Sequence, residues 1–281
     1  VKEPHITVRN IDPNTPATER VIKGEKEVHM SDLNTNPAAR YGQPAARAGA
    51  AVDQGLRAYM LRVYNYMAMG LAITGAAALG TFLMAVDRSG GTVKLTAFGQ
   101  LIYQSPVKWL VIFAPLALVF LLSFGIQKMS VATAQLTFWV YAALVGLSLS
   151  VIFLVFTGQS ITQVFFITAA AFGGLSLYGY TTQRDLSAFG AFVVMGLIGV
   201  IIASLVNIFL QSSMMQFIIS IIGVFVFAGL TAWDTQRIKE MYFEADDNVI
   251  AGRKAVMGAL ALYLDFINLF MMLLQLFGRR D

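Results

Sequence analysis

Polar and apolar residues are sorted into long blocks along this chain. Residues 1 to about 55 are charged and rich in Pro, Asn, Thr and Ala, and no helical period is sustained there beyond a turn or two. That composition predicts a mobile polar tail. From Tyr66 onward, apolar runs of about 20 residues recur, each long enough at about 1.5 Å per residue to cross a hydrocarbon layer of roughly 30 Å. Seven such runs cover about 66–86, 108–126, 133–156, 161–180, 188–210, 214–233 and 255–277. Between them lie DRSGG, QKMS, TGQS, TTQRD, QSS and a longer charged joint from Arg237 to Lys254. Lipid offers the backbone no hydrogen-bond partner, and the runs lack the ten-residue alternation of an outer-membrane barrel, so each is predicted to be a helix. The expected architecture is all-α: a tail over 1–55 and a seven-helix membrane domain over 56–281. Small residues four apart, such as Ala76 with Gly80 and Ala170 with Gly174, are expected to let helices pack closely.

Composition strengthens the membrane reading. The 281 residues are 57% hydrophobic and 13% charged, with mean hydropathy +0.67, against about 25% charged residues in a soluble domain. The tail lacks the short apolar core and cleavage site of a secretory signal, so the first apolar run is expected to stay as an anchor. His29-Met30 followed by SDLNTNP reads either as a vector-derived leader joined to a start at Met30 or as one uninterrupted tail. There is no cysteine, which excludes disulfides, thiolate metal sites and cysteine nucleophiles. Both histidines, His5 and His29, lie in the tail, so histidine cannot serve as ligand or base inside the bilayer. No phosphate loop, GxSxG elbow or HExxH helix is present. These exclusions argue against an enzyme and against a bound cofactor.

Charge sets an expected orientation. Arg47, Arg57, Arg62, Lys128, Arg184, Arg237, Lys239, Arg253 and Lys254 fall on the side of the N-terminus, and Arg88, Lys94, Lys108, Arg279 and Arg280 on the other. The excess places the N-terminus in the cytoplasm. Seven crossings then put the C-terminus on the opposite face, unless the last helix turns back. Basic residues that flank apolar runs orient a membrane protein, and nucleic acid is not an expected partner.

Intramembrane acids are the strongest chemical signal. A carboxylate in hydrocarbon costs on the order of 2.5–3.5 kcal/mol on insertion scales unless it is paired, hydrated or protonated. Asp265 lies in the interior of span seven, in YLDFINLF, and Asp234 at the end of span six, in AGLTAWDTQRIKE. Arg237, three residues beyond Asp234, offers it a helix-end ion pair. Asp265 has only Asn268 as a local polar neighbour, and no Lys or Arg lies inside any span. If the two acids meet, they share one proton and titrate as a unit, which suits a proton-governed switch. Released, they would suit calcium, an oxygen-seeking cation, with Asn268 and free carbonyls as further ligands. Their meeting needs tilt, or a last helix that enters the bilayer later than its apolar run suggests. Asn207, near the end of span five, is a supporting polar residue expected to hydrogen-bond between helices.

The segments AQLTFWVYAALVGLSLSVIF, AFGGLSLYGY with TTQRDLSAFG, GLTAWDTQRIK and above all ALALYLDFINLFMMLLQLFG closely resemble the Bax inhibitor 1 (transmembrane Bax inhibitor motif) family in a bacterial form, over roughly Arg57 to the C-terminus. The resemblance implies a bacterial inner-membrane protein with a seven-helix fold, a central last helix and a pH-sensitive calcium leak. Asp234 and Asp265 match the family's proton-sharing sensor pair. Some members carry a basic latch near the end of span two, where FGIQKMS here offers Lys128 and no Arg. Other bacterial members are partners of a membrane-bound AAA protease, and eukaryotic members suppress cell death. Two functions therefore stand: a proton-gated cation leak, and a non-conducting regulator that binds a membrane protease or another complex through the tail. A proton-coupled transporter is disfavoured by the lack of an inverted repeat or a broken helix pair.

Overall fold

The computed structural model describes residues 37–87 and 94–280, with side chains from Asp53 onward. The expectations for residues 1–36, including the tail and the junction at Met30, lie outside the described residues.

Helix α1 (Pro37–Ala85) leads into a two-residue antiparallel pairing of β1 (Val86–Asp87) with β2 (Lys94–Leu95) and then the short α2 (Ala97–Tyr103). Next come α3 (Val107–Gly125) with a closing 3-10 turn, α4 (Val131–Leu149), α5 (Ile152–Val155) and α6 (Gly158–Thr181). The chain finishes with α7 (Ser187–Leu210), α8 (Ser213–Glu240) and α9 (Asn248–Phe277). Among the described residues seven helical stretches are long and apolar enough to cross a membrane: Asp53–Ala85, Val107–Lys128, Val131–Val155, Gly158–Thr181, Ser187–Leu210, Ser213–Glu240 and Asn248–Phe277. They match the seven runs seen in the sequence, but several continue further, because apolarity marks the hydrocarbon layer while a helix persists into polar surroundings. The joint from Arg237 to Lys254 shrinks accordingly to 241–247. Side-chain caps mark the ends: Thr157, Ser212 and Asp247 accept from the backbone N–H groups of Ser160, Met215 and Ile250, each satisfying a donor the helix leaves open.

Span three is interrupted once. At Ser150 the chain switches to three-residue backbone bonds, and the Ser150 hydroxyl donates to the Leu147 carbonyl at 2.6 Å while accepting from Tyr103 at 2.8 Å. A serine that competes for the helix's own carbonyls bends it.

Burial divides the helices. In α9, 61% of the most apolar window is buried inside the protein, against 11% in α3 and 17% in α7. Phe209, Phe124 and Phe225 are 86%, 81% and 73% exposed, an exterior that is tenable only against lipid. Where helices meet, glycine decides the closest approaches, but not the ones the four-residue spacing suggests. Gly80 and Gly174 look onto open space, and Ala76 and Ala170 are exposed, so those pairs do not make helix contacts. Spacing identifies a smooth face and not its direction. The tight crossings are at Gly146, against the Thr74 carbonyl, and Gly179, against the Ala232 carbonyl.

Tyr263 anchors the interior of α9. Its ring meets Phe138 edge-on at 5.6 Å and Tyr141 at 5.7 Å. Its hydroxyl lies 2.7 Å from that of Thr74, which reaches the Ala142 carbonyl at 2.9 Å. Carbonyls only accept, so the Thr74 proton is committed to one and Tyr263 donates to Thr74. This chain ties α1, α4 and α9 together without a charge. Tyr263→Phe is expected to keep the fold and lower stability by about 1 kcal/mol, read as a lower melting temperature in detergent.

Candidate functional site

Helices α8 and α9 run antiparallel and pack along a shared seam. Positions 216, 220, 223, 227, 230 and 234 of α8 recur at alternating steps of four and three, as do 265, 268, 272 and 275 of α9. Such spacing holds one face of each helix toward its neighbour. The seam is unusual in its chemistry, since Gln216, Ser220, Asp234, Asp265, Asn268 and Gln275 are polar.

The structure brings Asp234 and Asp265 together: each stands within the other's electrostatic reach, and both line one cavity. What allows this is the offset of the helices. Gly258 stands level with Ile238, so the first residues of α9 run roughly two turns past the end of α8, and Asp265 lies closer to that end of the bundle than its apolar run suggests. Asp265 is 5% exposed, and its Oδ2 has no hydrogen-bond partner. A hydrogen bond between two carboxyl groups requires that one of them hold a proton. Proximity of this kind lets two carboxyl groups share one proton.

Arg237 lies 3.9 Å from Asp234, yet its own side chain is 62% exposed and stacks 5.4 Å over the Trp233 ring. It touches the pair loosely from the rim and makes no ion pair with Asp265. Asn268 sits one turn along α9, donates to the Leu264 carbonyl at 2.8 Å and faces the same space as the acids. That space is a cavity of about 870 Å³ between α3, α7, α8 and α9, lined by Asp234, Arg237, Asp265 and Asn268 among apolar side chains. Lys128 is exposed at the end of the 3-10 turn that closes span two.

Asn207 is not part of this group. It accepts from the backbone N–H of Ser212 at 3.0 Å and donates to Gln216 at 3.2 Å, closing α7 where Gln211 turns left-handed at φ 50°. It belongs to a second polar cluster at the far end of the seam. There Gln216 donates to Gln275, and Ser220 lies 3.0 Å from Gln275. Sequence reading had passed over these three residues. Their signal lies in the alternating steps of four and three that place them on the same helix faces as the acids, visible only once both helices are read along one face.

Two further contacts hold the seam at the Asp234 end. Gln236 accepts from the Leu186 N–H and donates to the Arg184 carbonyl, both at 2.8 Å, and Lys239 reaches the Tyr180 carbonyl at 2.9 Å. At the other end the chain terminus returns to the joint before α6: Thr157 N–H donates to Arg279 O at 3.0 Å, and Arg279 N–H to Ser160 Oγ at 2.9 Å. The start of α9 is tied by Arg253 to the Met129 carbonyl, so this helix traverses the bundle from one end to the other.

Residues 56–281 match the family model described as Inhibitor of apoptosis-promoting Bax1. The chain is 48% identical over 228 residues to an uncharacterized protein of Rickettsia prowazekii, covering 81% of this chain and 92% of that one. It is 45% identical over 228 residues to the inner membrane protein YbhL of Escherichia coli, covering 80% and 93%. An uncharacterized membrane protein of Streptococcus pyogenes is 37% identical over 229 residues, covering 82% and 96%. With seven long apolar helices, a family match across nearly the whole of them and relatives that are themselves membrane proteins, the chain belongs to the Bax inhibitor family of polytopic membrane proteins.

Proposed function

We propose that this protein is a passive, pH-sensitive calcium leak, gated by the proton that Asp234 and Asp265 share. The observation that carries this reading is the carboxyl–carboxyl proximity itself: two acids from different helices, Asp265 almost fully buried and without an ion pair among the described residues, and Asp234 touched only loosely by Arg237 at 3.9 Å. While the proton is present it bridges α8 and α9. When the proton leaves, two carboxylates at hydrogen-bond range repel, and the seam either parts or takes up a cation. Two carboxylates and the Asn268 carboxamide offer calcium oxygen ligands, and among the described residues no group of three or more acid or histidine side chains surrounds a point. That donor set is suited to an ion in passage. It asks for no cofactor and no catalytic step.

The Lys and Arg bias supports an N-terminus in the cytoplasm, and a last helix that traverses the bundle is consistent with a C-terminus on the opposite side. Calcium flux into proteoliposomes, followed with an enclosed indicator as external pH is varied, tests the proposal. Flux is expected to rise as pH rises and to persist after deletion of residues 1–50, since the pair lies wholly within α8 and α9. A wild-type protein that passes no calcium at any pH would leave the regulator of a membrane protease as the better reading.

A further inference from the structure

The seam that holds the acid pair continues beyond it and ends in a second space. On the side away from Arg237, the acid cavity is bounded by Met272. Past Met272 lies a polar pocket of about 380 Å³, lined by Asn207, Ser212, Gln216, Ser220, Gln275 and Arg280. Along the seam between them, Met272 Sδ and Cγ sit 2.8 and 2.9 Å from where a Cβ on Gly223 would be. The thioether occupies the notch left by the missing side chain.

Three properties of this contact matter. It lies on the same helix faces as Asp234, Asp265 and Asn268 on one side and as Gln216, Ser220 and Gln275 on the other. Its two members are the most compliant available, since methionine has three rotatable bonds and glycine has no side chain to clear. The carboxamides and hydroxyl beyond it are neutral oxygen donors in a region where polar groups are otherwise costly, and such donors can replace part of a cation's hydration. Among the described residues Arg280 is the one charged side chain lining that pocket. It marks the outer rim, where it slows rather than binds a cation.

The geometry points to a conduction route along the α8–α9 seam, with Met272 seated on Gly223 as its constriction and the Gln216–Gln275 pocket as the mouth where a divalent cation sheds water. This rests on the leak reading above and adds to it a path and a barrier separate from the proton-sharing pair.

Absence of native cysteine makes the test clean. Full-length protein carrying Met272→Ala, Gly223→Leu or Met272→Cys is reconstituted with the wild type and with Asp265→Asn, and calcium flux is measured. Met272→Ala is expected to raise flux about tenfold, equivalent to about 1.4 kcal/mol of barrier. Gly223→Leu, which fills the notch, is expected to lower it by a similar factor. The Met272→Cys protein is expected to conduct and to be blocked by a charged methanethiosulfonate reagent, with calcium slowing the modification. A leak that responds to Asp265→Asn but is indifferent to Met272→Ala, with no modification at Met272→Cys, overturns the route and leaves the leak standing. A wild type that passes no calcium overturns both.

Discussion

Replacement of Asp265 by asparagine is expected to reduce calcium flux at least about tenfold at the pH where the wild type conducts best, a change of about 1.4 kcal/mol in the closed-to-open balance, and to abolish its pH dependence. The reason lies in what the amide does to the contact. On the proposed mechanism, the two acids of the wild type can hydrogen-bond to each other only while one carboxyl holds a proton. Asparagine donates permanently what the acid donates conditionally, so α8 and α9 stay joined at every pH. The amide also removes the negative charge that would attract calcium from the buried end of the cavity. The sign follows from proton count. If the pair gates as proposed, raising pH takes the bridging proton from the wild type and opens the seam, whereas the variant has no proton to lose and its flux is expected to stay flat and low. Arg237 does not rescue the variant, because it approaches Asp234 and not Asp265. An Asp265→Asn protein whose flux keeps the wild-type magnitude and pH profile would remove the pair from the mechanism.

The largest loss of stability is expected at Gly179. A Cβ placed there would stand 2.1 Å from the Ala232 carbonyl oxygen, a backbone atom that cannot rotate away. Gly179→Val must therefore push α6 from α8, and overpacking of this kind costs about 1–3 kcal/mol where the surroundings yield and more where they do not. The variant is expected to melt well below the wild type in detergent or to fail to accumulate. Gly174→Val, on the same helix but facing open space, is the control and should change stability by no more than about 0.5 kcal/mol. Equal tolerance of valine at both positions would show that the α6–α8 crossing is not set by glycine. The contact also bears on the site, since Ala232 lies two residues before Asp234 and the crossing fixes where that carboxyl stands.

These expectations also separate what the chain announces from what its folding decides. The number of spans, their order and the two out-of-place acids were legible in the residues, because the transfer of some twenty apolar side chains into lipid is a local property that needs no knowledge of neighbours. The resemblance in ALALYLDFINLFMMLLQLFG pointed to the right family for a related reason: an acid within an apolar helix is a rare local pattern. Residues that matter through partners could not be read in the same way. Asn207 does bond between helices, from α7 to Gln216 of α8, but the second polar cluster it joins could not be read from its own segment. Gly80 and Gly174 looked like packing surfaces and face outward, while Gly146 and Gly179 press against the backbone carbonyls of neighbouring helices.

The sequence by itself determined that this protein lives in a membrane as seven helices and that it carries two acids at an awkward depth. Only the tertiary structure decided that the acids meet. Their contact depends on the axial offset between α8 and α9, which lets the last helix begin about two turns beyond its neighbour. That offset shows in the packing of Gly258 on Ile238 and of Met272 on Gly223, contacts that depend on both helices and that neither helix's residues contain alone.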